Sequence, residues 1–402
     1  MQVVVVGSGA REHALAWRLS RSPKLTELHA APGNPGIAAL GRCHPVRADD
    51  ADGLLTLALT LDADLVVIGP EGPLVAGVAD GLRRNGIAVF GPGGEAARIE
   101  GSKTFAKDVM RAAGVPTAET LAVARPPCVV KADGLAAGKG VFVCRTAEEL
   151  DEALRAVRRY EGGVVIEELV DGREVSVFAI SDGRRAVPLG AAQDFKRIGD
   201  GDTGPNTGGM GAYSPVPWFG DTSELVDRIH QPIVHELARR GTPFVGCLFA
   251  GLMVTPNGPK VLEFNARFGD PETQVLMPRL ESDLLETLAA AAHGDVGAAH
   301  LGFSNDAAVT VVLAGPEYPA RSDYAGAAID GIDAAEASGA LVFHGGTAVR
   351  DGAVVTNGGR ILSVTGTGRT VADARAHAYA AAGMIRFEGA RHRTDIAAAV
   401  DG

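Results

Sequence analysis

The sequence predicts a multidomain protein of the α/β and α+β classes, and three observations predict it. Strand and helix patterns alternate along the first hundred residues with short turns between them, which is typical of a parallel sheet covered by helices. Beyond about residue 101 the pattern changes to hairpins around a glycine-rich loop. With 402 residues, 46% of them apolar and 22% charged, the chain can build more than one core. We expect a Rossmann-like domain at 1–101, a central region at 102–300 with a small α+β unit at about 120–181, and a C-terminal α+β domain at 301–402.

In the N-terminal region the predicted strands are QVVVVG, ELHAAP, DLVVIGP and IAVFGP, and the predicted helices lie at 11–20, 52–60 and 74–84. The motif GSGAREH stands between the first strand and the first helix. It disfavours a dinucleotide site, because Glu12 occupies the position of the third glycine and the second strand ends without an acidic residue. The open amides of a helix N-terminus suit a phosphate, although a tight turn explains the motif equally well.

In the central region a helix is predicted at 103–113, and CVVKADGLAAGKGVFVC predicts a strand, a glycine-rich loop and a second strand. Thr146 then caps a helix, with Glu149 three residues on. The loop is not a Walker A motif, because no helix follows it and no Ser or Thr follows Lys139. Its glycines let the backbone approach a polyphosphate whose charge Lys131 and Lys139 can neutralise, unless it is a solvated hairpin loop. The acidic segment VVIEEL that follows, together with Glu174, could hydrogen-bond an adenine amino group and ribose hydroxyls.

The segment QDFKRIGDGDTGPNTGGMGAYSP, at 193–215, shows no apolar repeat at a period of 2 or 3.6. It therefore reads as neither helix nor strand, and a linker is the simplest interpretation. A linker, however, needs no Lys-Arg pair and no Pro-Asn-Thr sequence. A helix capped by Asp221 and Glu224 should follow, with an apolar face that contains Ile229 and Ile233.

A second hairpin, with its turn around Asn257-Gly258, leads into KVLEFNARFGDPE. Side chains alternate along a strand, so Glu263, Asn265 and Arg267 share one face. A carboxylate and an amide carbonyl suit Mg²⁺, and an arginine beyond them suits an anion, although the solvated face of a half-buried strand has the same pattern. The last hundred residues predict strands at AVTVVLAG, LVFHGG and RILSVTG and a helix at 371–385.

Composition excludes several classes of protein. The net charge of −11 disfavours nucleic acid or an anionic membrane as the main partner. The four cysteines are far apart with no C-x-x-C pair, so neither a disulfide framework nor a zinc site is indicated. The first residues lack the features of a signal peptide, and no segment reaches the roughly 20 apolar residues of a membrane span. We expect a cytoplasmic protein that binds small molecules.

Long motifs in a fixed order identify a family resemblance. They are VVGSGAREHALAW, APGNPG, IGPEGPLVAG, IEGSKTFAKD, VVKADGLAAGKGV, DTGPNTGGMGAYSP and EFNARFGDPETQ. Over nearly its whole length the chain closely resembles the phosphoribosylamine-glycine ligases, also called glycinamide ribonucleotide synthetases, of the ATP-grasp superfamily. The resemblance implies ATP and Mg²⁺ (or Mn²⁺) as cofactors, glycine and 5-phosphoribosylamine as substrates, a mobile lid at about 120–181, and a monomer.

The resemblance also implies roles for individual residues. ATP would be bound by Lys131, Gly138, Lys139, Gly140, Glu167, Glu168, Leu169 and Glu174. The metal would be bound by Glu263 and Asn265. The reacting groups would lie beside Lys196, Arg197, Arg267 and Asp270. The substrates would face Gly9, Arg11, Glu12, Glu71, Asp194, Gly208 and Gly209.

Departures from the family pattern concern mainly the lid. The connections from Thr120 to Cys128 and from Tyr160 to Val164 are shorter than is usual, which predicts a trimmed lid with weaker exclusion of water. Another carboxylate-amine ligase of the superfamily is the alternative to the glycine-specific activity. A non-catalytic nucleotide-binding paralogue is a third possibility, but it should have lost metal or phosphate ligands, and none is lost.

Overall fold

The computed structural model describes residues 1–135, 140–160, 162–297 and 301–400. Its N-terminal region is a five-stranded parallel sheet in the order β3-β2-β1-β4-β5. The strands are β1 (Gln2–Gly7), β2 (Glu27–Pro32), β3 (Arg42–Cys43), β4 (Leu65–Ile68) and β5 (Val89–Phe90). Their central residues are buried on both faces, as the continuous apolar runs predict. The predicted parallel sheet is confirmed.

Seven helices accompany this sheet. They are α1 (Ala10–Leu19), α2 (Pro35–Ala38), α3 (Ala51–Thr60), α4 (Glu71–Val75), α5 (Val78–Arg84), α6 (Gly94–Gly101) and α7 (Lys103–Ala113). The prediction of one helix at 74–84 was wrong. Gly77 adopts a φ of 79°, which ends α4 and separates it from α5.

The next part of the chain forms a separate three-stranded antiparallel sheet in the order β7-β6-β8, called here the lid sheet. Its elements are β6 (Cys128–Ala132), β7 (Val141–Cys144), α8 (Ala147–Val157) and β8 (Val164–Glu168). Thr146 and Glu149 form the predicted capping box of α8. The lid sheet ends at β8, earlier than the expected boundary near 181, because the next strand pairs elsewhere.

That next strand lies in an eight-stranded antiparallel sheet in the order β15-β14-β9-β10-β13-β16-β21-β18. The strands of the central region are β9 (Arg173–Asp182), β10 (Ala186–Asp194), β11 (Arg197–Gly199), β12 (Thr203–Asn206), β13 (Gly211–Ser214), β14 (Val245–Thr255) and β15 (Gly258–Asn265). The C-terminal strands are β16 (Ala307–Ala314), β17 (Tyr324–Ala328), β18 (Leu341–His344), β19 (Thr347–Arg350), β20 (Ala353–Gly358) and β21 (Arg360–Gly368). Strand β13 pairs with both β10 and β16, so one sheet joins the two regions.

The segment at 193–215 has more regular structure than its pattern predicts. β11 and β12 form a short two-stranded hairpin, and β13 belongs to the eight-stranded sheet. The prediction of neither helix nor strand was therefore wrong for much of the segment. The pairing uses backbone hydrogen bonds in glycine-rich sequence, which leaves no alternation of apolar side chains to detect.

The remaining helices are α9 (Ser223–Leu225), α10 (Gln231–Arg239), α11 (Thr273–Arg279), α12 (Leu284–Ala292), α13 (Ile332–Ala337) and α14 (Val371–Ala382). A π-helical turn joins α9 to α10, and the predicted apolar face with Ile229 and Ile233 is fully buried. α14 ends three residues before the predicted Ile385. In the part of the chain that the structure describes, no helix is long and apolar enough to cross a membrane.

His230 generates a prediction about acid stability. Its ring is fully buried: Nε2 lies 3.2 Å from the carbonyl oxygen of Val177, and in the part of the chain that the structure describes Nδ1 has no partner. Burial lowers the pKa of His230 from 6.5 to about 4, so the unfolded chain binds a proton there before the folded chain does. The free energy of unfolding should therefore fall by about 3 kcal/mol as the pH drops from 6.5 to 4.

Chemical denaturation of the wild type and His230→Gln across this pH range measures the effect. The variant should lose less stability on acidification, because its amide takes up no proton. His235→Gln, on the exposed side of α10, is the matched control. An equal loss in all three proteins would contradict this role for His230.

Candidate active site

Glu263, near the end of β15, is the centre of a dense group of charges. Within the described residues its carboxylate accepts no hydrogen bond, and it faces the cations Lys196, Lys131 and Lys103. Burial would raise the pKa of Glu263, but these lysines and the more distant Arg267 outweigh burial and lower the pKa. The carboxylate is therefore ionised and free to bind a further cation.

Asn265 and Arg267 follow on the same face, as the alternation predicts. Asn265 is buried; its Oδ1 accepts a hydrogen bond of 3.2 Å from Arg267 Nη2, and its Nδ2 has no partner among the described residues. Arg267 also lies 3.1 Å from Glu100 and 3.5 Å from Glu71. Burial would lower the pKa of Arg267, but these two carboxylates raise it. The arginine is a fixed cation beside the amide.

These residues fit a divalent metal ion. Glu263 offers an ionised carboxylate, and Asn265 offers an amide oxygen two residues away, which are ligands that Mg²⁺ and Mn²⁺ prefer. Over the described ranges no group of three or more His, Cys, Asp or Glu side chains could hold a metal. The site therefore suits an ion that takes its remaining ligands from substrate phosphates and water rather than from a closed protein cage.

Glu167, on the lid sheet, is buried between two lysines. Its two carboxylate oxygens lie 2.7 Å from Lys107 Nζ and 2.7 Å from Lys131 Nζ. Lys131 Nζ also donates to the carbonyl oxygen of Leu262 at 2.8 Å, and Lys107 Nζ donates to the hydroxyl of Thr117 at 2.8 Å. The lid sheet is thus joined to α7 by an ion pair and to β15 by a hydrogen bond.

Two predicted nucleotide ligands lie nearby at the edge of the lid sheet. Glu168 lies 2.5 Å from Lys260 Nζ and accepts a hydrogen bond from the amide of Glu119, so its side chain is already occupied. Leu169 follows β8 directly and is half-buried. Gly140 is buried at the start of the second lid strand. The predicted ligands Gly138 and Lys139 lie outside the described residues.

Lys196 and Arg197, predicted together, separate in the structure. Lys196 forms an ion pair with Glu174. Arg197 Nη1 instead donates to the carbonyl oxygen of Gly204 at 2.7 Å, on the exposed β11–β12 hairpin. Successive residues in extended backbone point to opposite sides, so only Lys196 joins the charged group.

Asp194 lies beside Lys196 in this group and has a strongly raised pKa. Burial raises its pKa to about 8, and the charges of Glu272 and Glu174 add to this effect against the opposing charge of Lys196. Burial would lower the pKa of Lys196, but Asp194 and Glu174 outweigh it and raise the pKa. The lysine is therefore charged, whereas Asp194 titrates near neutral pH.

Residues of the N-terminal motif GSGAREH contact one another. Glu12 is buried; one oxygen accepts from the amide of Gly9 at 2.6 Å and the other lies 2.6 Å from Arg11 Nε. Arg11 also donates to the carbonyl oxygen of Phe268 at 3.3 Å and lies 3.8 Å from Glu71. These contacts attach the first helix to the segment that follows β15.

A cavity of about 560 Å³ opens beside these groups, between the N-terminal and C-terminal regions. Gly9 and Asp270 line it, together with Asn34 and Arg360, whereas Arg11, Glu12 and Glu71 are not among its lining residues. Of the predicted substrate ligands on the N-terminal domain, only Gly9 thus faces this cavity. Gly208 and Gly209 lie next to it, bound to Arg360.

Sequence reasoning missed several members of the site. Lys103 and Lys107 lie in IEGSKTFAKD, which served only as a family marker, although their i,i+4 spacing places both on one face of α7. Glu100 belongs to the same motif, whereas Tyr318 and Arg360 stand alone in their segments and no local pattern connects them to the site.

Family models match almost the whole chain. The N domain of phosphoribosylglycinamide synthetase matches residues 1–100, its ATP-grasp domain matches 101–273 and its C domain matches 308–399.

Curated relatives match over their full length. The phosphoribosylamine-glycine ligase of Streptomyces coelicolor is 53% identical and covers 100% of both chains, and that of Mycobacterium tuberculosis is 49% identical over 98% of this chain and 97% of its own. The first alignment spans 420 positions, whereas this chain has 402 residues, so the relative contains insertions. In this chain, residues 121–127 contain no helix.

Solved structures match as well. The phosphoribosylamine-glycine ligase of Thermotoga maritima aligns with a TM-score of 0.84 at 34% identity and covers 98% of this chain and 100% of that chain. The biotin carboxylase domain of the 2-oxoglutarate carboxylase of Hydrogenobacter thermophilus aligns with a TM-score of 0.68 at 18% identity, over 97% of this chain and 91% of that chain. The second likeness shows a common fold alone.

Glu263→Gln tests the carboxylate at the centre of the site. The change keeps the shape of the side chain and removes the charge that faces the lysines, so turnover should fall on the order of 100-fold or more. Steady-state kinetics at saturating ATP measures the loss, with Glu224→Gln on the exposed surface as the control. An unchanged rate in Glu263→Gln would place the metal elsewhere.

Lys107→Met tests the buried charge group on the lid sheet. Glu167 then keeps only Lys131 as a cation, which draws Lys131 away from a bound phosphate, so the Kd for ADP should rise about tenfold. Isothermal titration calorimetry measures Kd, and the exposed Lys24→Met is the control. A lower melting temperature with an unchanged Kd would make the group purely structural.

Proposed function

The chain belongs to the phosphoribosylglycinamide synthetase family, and from this premise we propose how its residues perform the family reaction. It is an ATP-dependent carbon-nitrogen ligase that joins glycine to 5-phosphoribosylamine in purine biosynthesis. A carboxylate is a poor electrophile, so ATP first phosphorylates glycine to glycyl phosphate. The sugar amine then attacks the acyl carbon and phosphate leaves, which yields N1-(5-phospho-D-ribosyl)glycinamide, ADP and phosphate.

The observation that carries this proposal is the ionised Glu263 carboxylate, which faces three lysines and accepts no hydrogen bond from any described residue. Phosphoryl transfer between anions depends on positioning and charge neutralisation more than on covalent help from the protein. A group of fixed cations around a free metal-binding carboxylate supplies both.

The nucleotide lies in this proposal between the lid sheet and β15. Its phosphates are bound by Lys131, Gly138, Lys139 and Gly140, its adenine edge by Glu167, Glu168 and Leu169, and its ribose by Glu174. The ion pair between Lys131 and Glu167 supports this placement, because it puts a proposed phosphate ligand next to a proposed adenine ligand. The Lys196–Glu174 pair has a role as well: ribose hydroxyls would displace Lys196 from Glu174 and free its charge for the transferring phosphate.

A divalent ion, Mg²⁺ or Mn²⁺, would be held by Glu263 and Asn265. When bound, it would neutralise charge on the nucleotide phosphates. Family membership supports ATP and a divalent metal in general, and the oxygen donors favour these two ions in particular.

The reacting groups lie on the segment after β15. Arg267 binds the glycine carboxylate and the acyl phosphate, because it is a buried cation adjacent to the metal-binding amide. Asp270 lines the cavity and orients the incoming amine. Arg197 reaches the phosphates only if it leaves Gly204, so Lys196 is the better supported of the two.

Phosphoribosylamine occupies the cavity of about 560 Å³, with Gly9 at its wall and Gly208 and Gly209 next to it, bound to Arg360. This wall is supported by three residues that contact one another and do not line the cavity, Arg11, Glu12 and Glu71. Asp194 lies deeper, beside Lys196, where a carboxyl group that titrates near neutral pH can exchange protons with the substrates.

We further propose domain boundaries near 101 and 300, which the family-model ranges support. We also propose that the protein is a monomer in the cytoplasm and that its partners are small molecules. The alternatives are a ligase for another carboxylate and a non-catalytic paralogue. The ionised Glu263 and the buried cations disfavour the paralogue, because they are retained.

Phosphate release from ATP and Mg²⁺ separates these alternatives. We expect release to require glycine and freshly generated phosphoribosylamine together, with only slow release when glycine is added alone. Alanine and serine in place of glycine test selectivity. Release that ignores glycine would contradict the glycine-specific activity, and no release under any condition would favour the paralogue.

Removal of the metal gives an independent prediction. Chelation with EDTA should abolish phosphate release, and either Mg²⁺ or Mn²⁺ should restore it, because both ions accept oxygen ligands. Full activity in EDTA would contradict the metal proposal. Zinc, which prefers nitrogen and sulfur ligands, serves as the control ion.

A further inference from the structure

Arg360, at the start of β21 in the C-terminal region, connects two segments of the candidate site. Its Nη1 donates to the carbonyl oxygens of Gly208 at 2.6 Å, Gly209 at 3.3 Å and Asp270 at 2.9 Å. Its Nη2 donates to Asp270 Oδ2 at 2.7 Å. One planar guanidinium thus binds the glycine turn before β13 and the carboxylate after β15 at the same time.

Asp270 is held by both of its carboxylate oxygens. Oδ1 accepts a hydrogen bond of 2.8 Å from Gln274 Nε2, while Oδ2 is paired with Arg360. Burial would lower the pKa of Arg360, but the charge of Asp270 outweighs it and raises the pKa, so the guanidinium stays charged. The orientation of the carboxylate is therefore fixed by two neighbours rather than by solvent.

The glycine turn is fitted closely around the guanidinium. A Cβ at Gly208 would lie 3.0 Å from Arg360 Cζ, and a Cβ at Gly209 would lie 2.3 Å from Pro271. Gly209 also has a φ of 106°, which side chains rarely adopt. The hydroxyl of Tyr318 accepts a hydrogen bond of 2.8 Å from the amide of Gly208 and holds the turn from its other side.

We propose that Arg360 is a positioning residue for the amine-transfer step, and that it acts by fixing Asp270 at the wall of the substrate cavity and the Gly208–Gly209 turn next to it. The inference rests on the proposed function, because it takes this cavity as the site of phosphoribosylamine. Asp270 lies next to Gly9 there: a Cβ on Gly9 would be 4.0 Å from Asp270 Oδ2. The C-terminal region therefore contributes a positioning arginine to the site.

A positioning role predicts a particular kinetic pattern. Misplacement of a substrate-orienting group by about 1 Å costs on the order of 100-fold in rate. Arg360→Gln should therefore lower kcat/KM for phosphoribosylamine about 100-fold, and Arg360→Lys, which keeps the charge but not the planar fork, about tenfold. The KM for ATP and slow phosphate release with glycine alone should change less than about twofold, because neither depends on the amine.

The experiment compares Arg360→Gln, Arg360→Lys, Asp270→Asn, the double variant Arg360→Gln/Asp270→Asn and the control Arg350→Gln, which changes an exposed arginine of the same region. If Arg360 acts through Asp270, the double variant should be no slower than the slower single variant. Losses that multiply would show independent action and overturn the proposal.

A purely structural role has a different signature. The variants would then lose ATP affinity, glycine-only phosphate release and thermal stability in parallel, and this outcome would also overturn the proposal. Failure of the proposed function is distinguishable, because the wild type would then release phosphate as fast without phosphoribosylamine as with it. An intact wild-type reaction with equal kcat/KM in Arg360→Gln would reject the positioning role alone.

Discussion

The structure depends on the mutual balance of charges that are buried together. Lys107, Lys131 and Glu167 form a fully buried group, and Lys196, Glu174 and Asp194 form a second group that is half-buried. A buried charge is costly unless it is paired, and removing one partner of a buried pair leaves the other uncompensated. Each group draws its members from different parts of the chain, so charge balance holds the lid sheet against α7 and the glycine-rich segment against β9.

Glu263 differs from the paired carboxylates of these two groups, and the difference suits it to bind a metal ion. It faces the cations of both groups, yet no described residue donates a hydrogen bond to it. The fold therefore keeps one ionised carboxylate available in a buried, positively charged surrounding. In such a place a metal ion and a polyphosphate complete the balance, and electrostatic interactions are stronger than in water.

Much of this could be predicted from the sequence, and the reasons for the failures are physical. Parallel strands, the Thr146 cap and the shared face of Glu263 and Asn265 follow from local periodicity and spacing. The β11–β12 hairpin was missed because backbone pairing in glycine-rich sequence leaves no side-chain pattern. Arg360 was missed because its partners lie 90 residues or more away in the chain, and only the eight-stranded sheet brings them together.

The central claim is that Glu263 and Asn265 hold the metal beside the lysines. A crystal structure with ADP and Mn²⁺, with anomalous scattering recorded for manganese, tests it most directly. The account predicts a manganese peak about 2.2 Å from an oxygen of Glu263 and from Oδ1 of Asn265, with a nucleotide phosphate as a further ligand. A peak bound by other side chains, with Glu263 still facing only lysines, would contradict it.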